Sequence, residues 1–186
     1  MLPPGHIAAG YLLVDTYEKI FKPVLSAKQK NVLPWLGAFF GFVPDLDMFV
    51  AFFHNKSFTI QEEKSEHREY YTHYPILWLI ASLITMIFSS ISKNVFGFTV
   101  GIAILLGTWS HFLLDSIDSS VGIKWFWPFK NSYYVLIQSK PKSRKKAGKF
   151  FKFWFEFLRW YIKDGGWTSK IELILLIILI FSIFLK

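Results

Sequence analysis

The chain has 186 residues, 53% of them hydrophobic and 20% aromatic, with a mean hydropathy of +0.35. That is more apolar surface than one soluble core can bury, so the composition excludes an ordinary soluble domain and points to a membrane protein. No cysteine is present and the formal net charge is +8, which excludes disulfides, thiolate metal sites and cysteine nucleophiles and leaves His nitrogen and carboxylate oxygen as the donors for any metal.

The start, MLPPGHIAAG, has no basic stretch ahead of an apolar one, so no cleaved signal peptide is expected and Met1 should remain, with His6 near it. Residues 5 to 22 carry apolar side chains at helical spacing together with Asp15, Glu18, Lys19 and Lys22, which predicts a short amphipathic helix too polar to span. Residues 32 to 53 are long enough to cross, but Pro44 interrupts them, and Asp45 and Asp47 fall in the middle. Each carboxylate at bilayer depth would cost about 2.5 to 3.5 kcal/mol. The segment is therefore expected as two helical pieces meeting at "VPDLD" and tucked against protein rather than lipid.

Residues 54 to 73 form the long polar stretch of the first half. Then come the two clearest spans, residues 75 to 91 and 95 to 114, joined by Ser92, Lys93 and Asn94. At about 1.5 Å per residue they reach roughly 26 and 30 Å, enough for a hydrocarbon core of about 30 Å, and they predict an antiparallel helical hairpin. The spacings of "GAFFG" and "GFTVG" suit close helix packing. In residues 149 to 163 the charges Lys149, Lys152, Glu156, Arg159 and Lys163 collect on one stripe with Phe and Trp elsewhere, the pattern of an amphipathic helix lying in the membrane interface. Gly165 and Gly166 should end it. Ser169, three residues before Glu172, reads as a capping box opening a C-terminal hydrophobic helix over 169 to 186. No repeat or low-complexity linker divides the chain, so one membrane-embedded helical domain over 1 to 186 is expected, an all-α integral membrane bundle.

The ionisable residues are distributed unevenly on this scheme. In "GTWSHFLLDSID" His111 and Asp115 stand four apart, on one helix face, where both can reach a single cation; alone, the pair would serve equally to hydrogen-bond each other. His73 directly precedes the first span, so the hairpin brings it to the same membrane face as His111 and Asp115. His67 lies just upstream, and Asp45 and Asp47 join if "VPDLD" faces the same way, with His6 from the N-terminal end. Taken singly, His67 reads as a loop residue and Asp45 and Asp47 as turn formers and a helix cap. Together, otherwise costly near lipid, they are better explained by a bound divalent cation, Zn first, with Mn or Fe as alternatives. His54, in "FHNKS", is left out as the solvated end of a helix.

"GHIAAG", "GFVPDLD", "EHREYYTH", "SHFLLDSID" and "GIKWFWPF" occur in an order and spacing that resembles the YdjM-like family of inner-membrane-associated metal-dependent hydrolases, over about residues 5 to 130. The resemblance implies a metal-dependent hydrolase at the membrane with His6, Asp45, Asp47, His67, His73, His111 and Asp115 at the polar motif positions, and it implies no particular substrate. A fainter likeness, in ligand pattern alone, is to zinc phospholipase C, whose later histidine and glutamate pair has no evident match after residue 120. If two cations share the site, the expected chemistry is metal-assisted hydrolysis of a phosphate ester, a small molecule or a phospholipid, through an activated water. Asp115 is the expected bridging ligand, Asp45 a ligand, and Asp47 a partner that orients an imidazole, with exchange of roles left open. Glu66 and Glu69 are alternative bases. The competing expectation is a non-catalytic metal-binding membrane protein, a carrier, sensor or scaffold, although a carrier needs polar groups near the bilayer midplane and both spans are polar only at one end.

All but Lys93 and Lys186 of the 21 Lys and Arg fall on the metal side of this hairpin, including the run "SKPKSRKKAGK", which puts the site in the cytoplasm. That run reads as a topology signal and an anionic-lipid contact; nucleic acid is a weaker alternative because no reader motif accompanies it. The aromatics Trp125, Trp127, Phe129, Tyr133 and Tyr134 form an interfacial belt or, less directly, the wall of a lipid headgroup pocket. Oligomeric state is left open.

Overall fold

A computed structural model describes residues 1–47, 50, 70–119, 122–138, 155, 158–159, 161–163 and 166–185. Helix α1 runs over Pro3–Phe21 and α2 over Ala27–Phe42, followed by a 3-10 turn, Val43–Leu46. A second 3-10 turn, Tyr71–His73, leads into α3, Pro75–Ile91, and then α4, Val95–Ser116. Helix α5 spans Gly166–Phe184. The fold is helical, as the sequence predicts, apart from a short parallel pair, β1 (Ile117–Ser119) with β2 (Ile137–Gln138).

Local chemistry sets the helix ends. Pro3 and Pro75 occupy first-turn positions, where a missing N–H costs nothing and φ is already helical. Asn94 caps α4 by accepting from the Gly97 N–H at 3.0 Å. The capping box belongs to α2, where Ser26 Oγ accepts from Gln29 N and Gln29 Oε1 accepts from Ser26 N. The box expected at Ser169 and Glu172 is not formed. Helix α5 begins at Gly166, which supplies a φ of 69°, so Ser169 lies inside the first turn and donates to the Gly166 carbonyl at 3.1 Å. Glu172 then points elsewhere, into the protein. The polar break at "VPDLD" is where expected, as a tight turn closing α2; the piece beyond it, apart from Val50, lies outside the described residues. Most of the interfacial helix proposed over 149 to 163 also lies outside them, and Phe155, Leu158, Arg159 and Tyr161 to Lys163 are helical.

Glycine decides how the helices meet. A Cβ on Gly10 of α1 would land on the Gly37 carbonyl oxygen of α2, and one on Gly41 would strike the His6 carbonyl. A Cβ on Gly107 of α4 would come 2.8 Å from the same Gly37 oxygen and 3.0 Å from Gly41 N. Three backbones therefore touch along one seam, and "GAFFG" supplies two of its glycines. Pairing of His6 with Gly41 and Gly10 with Gly37 makes α1 and α2 antiparallel; Gly107 at Gly37 and His111 at Gly41 make α2 and α4 parallel. Val14, Leu33 and Ala103 fill the core beside the seam. "GFTVG" packs α4 on α3, Gly101 against Met86 and Ser82 and Gly97 against Ser89.

Helices α4 and α5 are long and apolar enough to cross a membrane, and α3 is a shorter apolar helix. Ile84, Ile87, Phe88 and Ile91 of α3 and Leu173, Ile174, Ile177 and Phe181 of α5 are exposed, the surface expected against lipid rather than water. Buried hydroxyls inside the spans are satisfied: Ser82 donates to the Gly101 carbonyl, Thr108 to Ile104 and Ser110 to Gly107. Helix α5 lies parallel to α1 and is clamped to it twice. Glu172 Oε2 accepts from Leu2 N at 3.3 Å and Ser182 Oγ donates to Asp15 Oδ2 at 3.1 Å, while Lys19 pairs with the same Asp15 oxygen at 2.7 Å.

The seam yields a direct test. Gly10→Ala should destabilise the fold by about 3 kcal/mol or more through overpacking against backbone that cannot move aside, whereas Ser90→Ala, on an exposed hydroxyl that bonds only its own helix, should change it by less than about 1 kcal/mol. Thermal unfolding of the two variants in detergent gives the comparison.

Candidate metal centre

The sequence places its titratable residues at helix ends, and the packing above decides which of those ends coincide. His111 and Asp115 occupy the last turn of α4, His73 the turn before α3, Asp45 and Asp47 the turn after α2, and His6 the first turns of α1. Antiparallel α3 and α4 bring the first three together. The seam then lays α1 and the end of α2 across them. His6, His73 and His111 are all 0 to 1% exposed, and Asp45, Asp47 and Asp115 8, 3 and 3%.

The ring nitrogens are set by what their far sides touch. His111 Nδ1 is 2.9 Å from the Gly41 carbonyl oxygen, which can only accept, so Nδ1 carries the proton and Nε2 presents a lone pair. His73 Nδ1 lies 2.6 Å from Asp47 Oδ2, which turns its Nε2 inward in the same way. Thr72 Oγ1 also donates to Asp47 Oδ2 and holds that carboxylate in place. The two inward Nε2 atoms are 3.4 Å apart. Asp45 Oδ1 lies 3.8 and 3.7 Å from them, and Asp115 Oδ2 3.7 Å from that of His111. Lone pairs thus face one another across a small buried space.

His6 completes the ring of donors. Its imidazole stacks on His111 with centroids 3.9 Å apart, and neither of its nitrogens has a hydrogen-bond partner, although Nε2 is 3.2 Å from Asp115 Oδ1. Burial, with His111 beside it, pushes its pKa down to about 4, so the ring is neutral and available as a ligand at neutral pH. Asp45 is pushed up from the ordinary carboxylate range by the same burial. The donor atoms of His6, Asp45 and His111 all lie within 4.8 Å of one another, as do those of His73, His111 and Asp115. Two overlapping triads of nitrogen and oxygen donors, with a buried neutral imidazole at His6 whose polar neighbour is the Asp115 carboxylate, fit a divalent cation in each or one shared between them.

Of the residues singled out by sequence, His6, Asp45, Asp47, His73, His111 and Asp115 meet here. His67 lies outside the described residues, as do His54, Glu66 and Glu69. Three polar groups were not foreseen. The Met1 α-ammonium sits 3.0 Å from Asp115 Oδ1. Tyr161 Oη donates to Glu172 Oε2 at 2.5 Å, and Glu172, itself 4% exposed, holds Leu2 N. The signal for Glu172 was present as a lone carboxylate in an apolar run. The partner of His111 is a backbone carbonyl and leaves no trace in residue identity.

A family model matches residues 1–186, the whole chain, and its description is YdjM inner membrane protein. The chain belongs to the YdjM inner membrane protein family. Neither the curated proteins nor the solved structures contain a significant match. Membership in the YdjM family agrees with the apolar spans, and the His/Asp centre of this chain lies at the ends of α3 and α4 rather than midway along them.

The Asp47–His73 contact makes a prediction about affinity. Asp47→Asn should keep the fold and weaken binding of Zn or Mn about 10- to 100-fold, because the carboxylate orients and enriches the imidazole behind it, and His111→Ala should remove most of the metal. Equilibrium dialysis with elemental analysis checks both, and wild-type metal content in His111→Ala would overturn the assignment of donors.

Proposed function

We propose that this chain is a membrane-embedded hydrolase that depends on a divalent metal, Zn first, and acts on a phosphate ester, a small molecule or a phospholipid. The observation that carries the reading is the convergence of three imidazoles and three carboxylates, from four separate stretches of the chain, at one buried place at the end of α4. Divalent cations held by such donors supply Lewis acidity and lower the pKa of water toward neutrality. The protein's own part is to fix the donors. The Gly41 carbonyl and Asp47 lock the tautomers of His111 and His73, so that both present lone pairs without rearrangement. Asp115, between His6 and His111, is placed to hold charge on two sides, and Asp45, whose Oδ1 faces both inward imidazoles, would serve as a ligand or orient a water.

Burial supports a second reading. Donors less than a tenth exposed also suit a metal held for structure in a non-catalytic membrane protein. Asp115→Asn separates the two. A hydrolase loses turnover of a chromogenic phosphodiester by two orders of magnitude or more with its melting temperature nearly unchanged; a structural centre loses thermal stability and has no turnover to lose. A wild type inactive on phosphate mono- and diesters with Zn, Mn and Fe alike would end the hydrolase reading.

We also place the centre on the cytoplasmic face of the inner membrane, because Lys93 stands alone at the α3–α4 turn while the basic run of residues 139 to 149 falls at the opposite end of the sequence scheme. With no native cysteine, single-cysteine labelling is unambiguous. A cysteine at 93 should react with an impermeant reagent from the extracytoplasmic side and one at 130 only after the membrane is opened. The reverse pattern would invert the orientation.

A further inference from the structure

Lys124 is the only buried Lys or Arg among the described residues, at 9% exposure. Its ammonium lies over two tyrosine rings, 5.5 Å from the centroid of Tyr74 and 4.9 Å from that of Tyr133. It is 3.5 Å from Tyr74 Oη, to which it donates. No carboxylate among the described residues pairs with it. The two tyrosines outweigh the cost of withdrawing the ammonium from water and hold its pKa above the ordinary lysine value, so a charged donor is kept at a fixed place where an anion can meet it.

The position of Lys124 is built rather than incidental. Ile123 and Tyr134 exchange backbone hydrogen bonds of 3.0 and 2.9 Å, closing the loop on which Lys124 sits. Trp125 Nε1 donates to Ser116 Oγ at 2.9 Å, and Leu136 N to the Ser116 carbonyl at 2.7 Å, which ties that loop to the residue after Asp115. Tyr74 is the residue after His73 and is stacked on Trp127 with centroids 4.7 Å apart. Consecutive Cα atoms are about 3.8 Å apart, so both tethers of the Lys124 cluster start beside donors of the metal centre. Tyr71, Phe126 and Phe129 around it are exposed, as befits a place where lipid headgroups lie.

We propose that Lys124, with the hydroxyls of Tyr74 and Tyr133, forms a phosphate-binding subsite next to the His/Asp centre. It deepens the hydrolase reading, which supplies the reason for a phosphate there, by giving the substrate's anionic group a seat on the protein. A monoanionic or dianionic phosphate suits it, because an ammonium and two phenols offer donors that phosphate oxygens can take together. The phosphate can belong to a lipid headgroup or to a soluble ester.

The test is a titration of the full-length protein in neutral detergent, followed by phosphorus NMR, with inorganic phosphate and with dihexanoyl phosphatidylglycerol as probes, before and after chelation. Wild type should bind the phosphate group in both metal states. Lys124→Met should weaken it about tenfold or more, Lys124→Arg should retain it within about threefold, and Lys130→Met, on an exposed lysine of the same loop, should leave it unchanged. Metal content equal to wild type shows that Lys124→Met is folded. Preference for the short-chain lipid identifies a headgroup and equal binding of inorganic phosphate a soluble ester; either supports the subsite. Unaltered affinity in Lys124→Met, binding that disappears from wild type on chelation, or no binding of either probe overturns it. Because the titration reads binding alone, failure to find ester turnover would remove the hydrolase reading and leave this result intact.

Discussion

The contact on which the rest of the molecule depends is the one between backbones at Gly10, Gly37, Gly41 and Gly107. Side chains at these positions would hold the helices apart by the width of a methyl group, and the consequences would reach the centre directly. Gly41 is both a member of the seam and the owner of the carbonyl that orients His111, and His6 lies one turn from Gly10. Close approach in a lipid environment is driven by packing rather than by expulsion of water, so small residues here act as the structural counterpart of a core. The same contact that joins α1, α2 and α4 sets the ring of His111 and lays His6 on top of it.

The centre is an arrangement in which repulsion has been concentrated. Two inward imidazole lone pairs 3.4 Å apart, with carboxylate oxygens just beyond them, gain nothing from one another. Their outward partners, a carbonyl and a carboxylate, prevent either ring from turning to relieve the contact. The Met1 ammonium relieves some of the negative charge at Asp115. On the proposed function, a cation of small radius and high charge would convert such a set from mutually repelling to jointly stabilised.

Much of this was legible from residue order, for reasons that can be named. The spans at 75 to 91 and 95 to 114 are visible because an apolar run bounded by Pro75 and Asn94 leaves few alternatives, and once they form a hairpin His73 must meet His111 and Asp115. Pro44 and two aspartates in an apolar run likewise announce a turn that cannot face lipid. What was not legible depends on backbone or on distance in sequence. The orienting role of Gly41 belongs to a carbonyl, which every residue has. Glu172 reads as a cap because Ser169 stands at the right spacing, and local spacing cannot reveal that Leu2 and Tyr161 occupy the carboxylate instead. Gly10 and Gly107 lie in runs where a glycine reads as neutral until a neighbouring backbone is known to touch it.

The double clamp between α5 and α1 also bears on biogenesis. Glu172 takes the Leu2 amide from 170 residues away in sequence, and Ser182 reaches Asp15 from 167. At a synthesis rate of about 5 to 20 residues per second, the helix that supplies these partners emerges on the order of ten to thirty seconds after the residues that need them. Throughout that interval Asp15 lacks the Ser182 hydroxyl, and the start of α1 is not yet pinned over the centre. The first helix must therefore wait, sheltered by the insertion machinery or held at the aqueous boundary, and the last helix to be made is the one that commits it to its buried position. Ribosome stalling or premature termination ahead of residue 166 would release a chain with every donor of the centre already synthesised but its opening helix unsecured, a natural substrate for membrane quality control.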